Sequence, residues 1–125
     1  LVARLDQPTL ARRLLALSEL RAERHQHGPA IMALAEAATA LANPYPVYDY
    51  DDIKANSAGY RSRLTREQRR VWNDLFHARN RIAHGANLLE QDREVTFQNI
   101  GSQFERFHEL VHALCGIGGR SKSSH

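Results

Sequence analysis

One cysteine, one methionine and one tryptophan occur in 125 residues, with only four prolines and seven glycines. Each scarcity removes a class of protein. The lone Cys115 excludes an intrachain disulfide, argues against a cysteine-based zinc site and fits a reducing, cytosolic compartment. Its place near the end of an apolar helical pattern reads as a packed structural thiol. No segment approaches the roughly 20 consecutive apolar residues of a membrane span, which predicts a soluble domain. The sequence also lacks a phosphate-cradling glycine-rich loop, a nucleophile-elbow serine and a paired Cys/His metal set. Gly116, Gly118 and Gly119 lie in the C-terminal end and follow no strand. Leu1 stands where an initiator methionine would, with no basic-plus-apolar signal pattern after it. The expectation is an excised or processed piece of a longer chain, with any sensor domain upstream.

What remains is an ordinary globular composition, 42% hydrophobic, in a chain long enough to bury roughly two-thirds of its unfolded surface around one core. One helical domain over residues 1–115 is expected, with a flexible Gly/Ser-rich tail over 116–125. The formal net charge is only +3, but arginine heavily outnumbers lysine among the 17 basic residues. Arg61, Arg63, Arg66, Arg69, Arg70, Arg79 and Arg81 crowd one stretch that contains only Glu67 and Asp74 as counterweight. Arg66, Arg69, Arg70 and Arg81 are candidate RNA phosphate contacts, since a guanidinium grips phosphate with a bidentate fork. A solvated helix face explains the same cluster.

Hydrophobic periodicity places a first helix from about Thr9 to His25, with Leu10, Leu14, Leu17 and Leu20 at helical spacing and Pro8 in its first turn. His25-Gln26-His27-Gly28-Pro29 breaks that pattern. Ile31, Leu34, Ala38 and Leu41 then mark a second helix that stops at Asn43-Pro44. From Asn43 to about Gly59 no period is sustained, which predicts a long ordered loop with at most a short helical turn over Asp52–Asn56. Thr65 and Gln68 form a capping-box pair that opens a helix over Arg66–Ala83, with Gly85 suited to a left-handed cap. Glu94-Val95-Thr96-Phe97 reads as strand-like or irregular. A last helix follows from about Asn99 to Leu114, with Phe104, Phe107, Val111 and Leu114 inward. The predicted fold class is an all-α, up-and-down bundle of four main helices with a long loop between the second and third.

The most distinctive segment is Arg79-Asn80-Arg81-Ile82-Ala83-His84-Gly85. At about 100° per residue, Val71, Leu75, Ile82 and Ala83 share one side of the helix with Trp72 and Phe76 beside them. Arg79 falls within the same arc. A guanidinium keeps its charge in a protein, so this position calls for an anion or for an interface that a phosphate can enter.

These residues resemble the Arg-(four to six residues)-His motif of the HEPN superfamily, in the form with Asn after Arg and Ala-His-Gly at the end. The motif itself covers Arg79 to His84, and the helical pattern extends a looser similarity over the whole chain. The resemblance implies a HEPN-like helical bundle that dimerises and brings two motifs together in a cleft. It further implies metal-independent RNA cleavage in many members and no known catalysis in others, with no cofactor. Carried onto this sequence, it makes His84 the proton-transfer group, Arg79 the holder of the scissile phosphate and Asn80 a residue that orients the motif. Arg81 is a weaker candidate for backbone contacts. HEPN toxins paired with nucleotidyltransferases often carry a tyrosine two residues after the histidine, where this chain has Ala86. The resemblance therefore leans toward HEPN domains of phage-defence and RNA-processing proteins. Expected partners are RNA, a second copy of the chain, and an antitoxin or upstream sensor, with no membrane.

The chemistry suits those residue types. Attack of a ribose 2′-OH on the neighbouring phosphate needs a group titrating near neutrality and a cation for the phosphorane charge, which histidine and arginine supply. The products are a 2′,3′-cyclic phosphate and a 5′-hydroxyl. On a straight helix Arg79 and His84 point about 140° apart. Either the helix end unwinds at His84, or Arg79 of one subunit serves His84 of the other. A noncatalytic module that binds RNA, a nucleotide or a protein partner is the alternative.

The remaining candidates have plainer readings. His108 and His112 share a helical face, and His25 with His27 could join them, but no cue in the sequence brings these pairs together with a carboxylate. His77, one heptad before His84, lines the same cleft or covers the helix surface. Asp49, Asp51 and Asp52 read as a helix-capping solvated loop before a cation patch. Tyr45, Tyr48, Tyr50 and Tyr60 offer stacking surfaces for bases or a protein contact.

Overall fold

The computed structural model describes the backbone over residues 7–43, 49–84 and 90–116, and side chains over 10–43, 49–84 and 101–116. Five helices account for nearly all of it: α1 (Gln7–Glu23), α2 (His27–Ala42), α3 (Tyr50–Ser62), α4 (Arg66–Ala83) and α5 (Glu90–Leu114). No strand occurs among the described residues, so the all-α expectation holds.

The architecture is organised around α2. Ala30, Ile31, Ala33, Leu34, Ala35, Ala37, Ala38, Ala40 and Ala42 are all buried, leaving Glu36 as its exposed mid-helix residue. A helix buried nearly all round sits inside a bundle, and here α2 packs against each of the other four. Alanine makes that possible, because a side chain of one carbon lets neighbouring backbones come close on several sides. The core is completed by Ala11 and Leu15 of α1, Val71, Trp72 and Leu75 of α4, and Phe107 and Val111 of α5. Each large aliphatic or aromatic side chain among them contributes on the order of 1.5–3 kcal/mol by leaving water.

The helix ends follow recognisable chemistry. α1 stops where His25 takes φ 61°, with its N–H donating to the Ala22 carbonyl at 2.9 Å and the Gln26 N–H reaching back to the Arg21 carbonyl at 2.8 Å. This is a Schellman ending with histidine in the left-handed position that glycine usually holds. At α4 the capping box is complete: the Gln68 N–H donates to Thr65 Oγ1 at 3.1 Å, and the Thr65 N–H to Gln68 Oε1 at 3.0 Å. The Arg12 guanidinium donates to the Cys115 carbonyl at 3.2 Å, closing the end of α5 with a cation where the helix dipole is negative.

Three expectations are corrected. The long loop before α4 contains a full helix, α3, so the described residues form five helices where four were expected. Asp49 caps α3 by accepting the Asp51 N–H at 2.9 Å, and Asp51 and Asp52 add negative charge to its first turn. Periodicity missed α3 because the helix buries none of its residues. The strand-like Glu94–Phe97 instead belongs to the continuous helix α5. In α1 the buried positions are Ala11, Leu15 and Ser18, while Leu10, Leu14 and Leu17 are half-buried and Leu20 is 43% exposed. Its inward face lies one residue away from the leucine row. The C-terminal tail beyond Gly116, the cap at Gly85, Ala86, Tyr45 and Tyr48 lie outside the described residues.

Candidate functional site

The Arg79–His84 segment forms the last turn of α4. Its apolar anchors are Leu75 and Ala78, both buried, with Ile82 half-buried behind them. Arg79 is exposed, contrary to its expected place in the apolar arc, and so is Ala83. The core-facing arc is narrower than the sequence pattern implied, because Ala78 fills the position beside Arg79 and the arginine head stays in water. Arg79 donates through Nη1 to Asn80 Oδ1 at 3.3 Å, a long and solvent-exposed hydrogen bond.

His84 ends the helix with φ −109° and ψ 35°, and its N–H bonds the carbonyls of Asn80 and Ile82. The backbone therefore leaves helical geometry at His84 but keeps the hydrogen bond of the preceding turn. His84 is exposed. It does not line the groove that Arg79 and Asn80 line.

That groove lies among α1, α2, α3 and α4 beside the last turns of α4. It has a volume of about 830 Å³ and runs between α3 on one side and α1, α2 and α4 on the other. Its floor and walls are mostly apolar, from Leu14, Ala40, Ile53, Trp72 and Phe76, and Lys54, Arg61 and Arg79 supply cations against Glu36. A smaller hollow of about 230 Å³ shares Arg61, Phe76 and Asn80 with it and adds Asn73 and His77. His77 is exposed and so lies beside Asn80 in this hollow. Trp72 stacks obliquely between Tyr60 at 5.4 Å and Phe76 at 5.2 Å, which fixes the aromatic wall.

The arginine cluster divides by role. Arg69 donates to the Leu64 carbonyl at 2.7 Å and is tied into the α3–α4 corner. Arg70 faces Glu67 at 4.0 Å on a strongly exposed surface, and Arg66 and Arg81 are also exposed. Arg61 reaches Asn73 of α4 at 3.3 Å and contributes to both concavities. Sequence reasoning passed over Lys54 as a site residue and gave Arg61 no role beyond the cluster. The signal that could have found them is their spacing of seven residues, which puts both on one face of α3 once that segment is read as a helix.

The other candidates fall elsewhere. His25, His27, Phe104, His108 and His112 form a row of rings with successive centroids 5.5–6.3 Å apart, so the structure does unite the two histidine pairs. His108 Nε2 lies 2.7 Å from Glu19 Oε2. Among the described residues, no group of three or more His, Cys, Asp or Glu side chains is placed to hold a metal ion. Cys115 is buried, and burial pushes its thiol above the ordinary range while the Arg12 guanidinium opposes that rise. Burial likewise raises the Tyr60 phenol, with Cys115 adding to the rise and Arg63 opposing it. Among the described residues no helix is long and apolar enough to cross a membrane.

Compared with known proteins, the chain matches no family model, no curated protein and no solved structure.

Proposed function

We propose that this chain is a metal-independent endoribonuclease of HEPN type, acting as a homodimer in phage defence or RNA processing. The observation that carries the reading is the Arg79–Asn80 pair on the wall of a cation-bearing groove, with an exposed histidine one turn further along the same helix. Arg79 meets the scissile phosphate through its guanidinium fork. His84 accepts the proton of the 2′-hydroxyl as that oxygen forms a bond to phosphorus. The bond from phosphorus to the 5′-oxygen breaks, and the leaving oxygen takes a proton from a second acid, for which His84 of the partner subunit is the natural source. Asn80 holds Arg79 in register. Because Arg79 and His84 diverge around the helix, the proposal assigns the working pair to two chains, which makes dimerisation part of the mechanism.

The test is cleavage of a mixed-sequence RNA in excess chelator by the wild-type chain, His84→Ala and Arg79→Ala, with the product ends identified. Each variant should retain the fold, since both side chains are exposed, and each should lose about 10²–10⁴ in rate. Cyclic-phosphate ends from wild type alone support the nuclease. A second reading, a noncatalytic HEPN module that recognises RNA, a nucleotide or a protein partner, is favoured by the absence of His84 from the groove lining. Binding of RNA with no turnover in any of the three proteins would establish it.

A further inference from the structure

The groove extends well beyond the Arg79–Asn80 pair and has its own chemistry. Its size is within the range of small-ligand sites, and its walls are mainly apolar with a few polar groups, the usual composition of a recognition pocket. Phe76 and Trp72 give it an aromatic side, suited to a flat unsaturated ring. Ser57 and Asn80 place a hydroxyl and an amide on opposite walls.

The charges narrow the choice of occupant. Lys54 and Arg61 are seven residues apart on α3, which is about 10 Å along the helix axis, and Arg79 stands across from them on α4. Cations are thus spread along the groove on both walls. A single-headed amphiphile such as a fatty carboxylate needs one cation at one end. A nucleic acid strand carries phosphate on both sides of every base, and this distribution complements it.

We infer that this groove seats an unpaired nucleobase of single-stranded RNA against Phe76 and Ile53, with Lys54 and Arg61 meeting successive backbone phosphates next to the one at Arg79. The inference rests on the reading of Arg79 and Asn80 as a phosphate site. It makes α3 a specificity element and Ile53, Lys54 and Arg61 residues that select and hold substrate without entering the reaction.

Trp72 is the sole tryptophan of the chain and packs at 5.2 Å against Phe76 on the groove wall, so its emission senses a ring seated on Phe76. The probe is a 2′-O-methyl hexaribonucleotide, which cannot be cut by 2′-OH attack and so separates binding from turnover. The comparison probes are the same hexamer without bases and decanoate. The expected result is a saturable change in Trp72 emission with the hexamer and at least about tenfold weaker binding of the abasic strand. Ile53→Glu and Arg61→Ala should each weaken the hexamer at least about fivefold, with helical content and melting unchanged, and Ser102→Ala, on the exposed face of α5 away from the groove, should leave binding intact. Equal binding of the abasic strand overturns the inference. So does a hexamer that binds Ile53→Glu and Arg61→Ala as well as wild type, or a groove that responds to decanoate alone. The two readings fail separately. Hexamer binding at the groove without cleavage of ordinary RNA removes the nuclease and keeps the base site, whereas His84-dependent cleavage with no response at Trp72 does the reverse.

Discussion

His25 holds the left-handed backbone position that ends α1, at φ 61°. A side chain with a Cβ is strained there by on the order of 1 kcal/mol, and glycine is not. His25→Gly should therefore raise stability by about 0.5–1 kcal/mol in urea unfolding, and an unchanged or lower midpoint would mean that the His25 ring contributes through the row it shares with His27. Cys115 gives a second residue-level expectation. Its thiol is raised in the folded chain, first by burial. The unfolded thiol loses its proton first as pH rises, so the associated stability is present below about pH 8.5 and declines above it. Tyr60 is raised too and acts in the same sense at higher pH. Native protein should react with a thiol reagent at pH 8 at least about tenfold more slowly than unfolded protein, and Cys115→Val should flatten part of the alkaline loss of stability.

At the scale of the element, α4 is the helix most fully specified by its own residues. Its capping box satisfies two backbone donors reciprocally, and Thr65→Ala should cost about 1 kcal/mol in chemical unfolding without altering the slope of the transition. This box was legible from Thr65 and Gln68 alone, because a cap is local chemistry at fixed spacing. The same holds for α2, whose apolar residues and bounding Asn43 announced it. Phe104, Phe107 and Val111 of α5 were likewise placed inward correctly. What stayed hidden had nonlocal causes. α3 buries nothing, so it leaves no apolar period to read. The α1 leucines misled because Leu10 and Leu14 face the groove while Ala11 and Leu15 face α2 and its neighbours. Arg79 and Asn80 were singled out by motif, but the groove they border is made by four helices meeting, and no single stretch encodes it.

At the scale of the whole molecule, the bundle depends on the thinness of its central helix. Ala38 and Ala35 are 0% and 1% exposed, with neighbours on several sides. Ala38→Leu adds three carbons where no space is kept for them and should destabilise the chain by about 1–3 kcal/mol. A stable Ala38→Leu protein with unchanged melting would show that α2 is less tightly enclosed than its burial indicates. The opposite case is α3, with no side chain fully withdrawn from water and one ring, Tyr60, leaning on Trp72. Detaching it sacrifices little apolar burial, so its opening free energy is set locally and lies well below that of global unfolding. Backbone amides of α3 should then be among the first to exchange with deuterium, and protease should nick the chain there before it attacks α2. The width of the groove is in that sense an equilibrium quantity, and temperature or denaturant well short of the melting transition should tune it while the other helices stay closed.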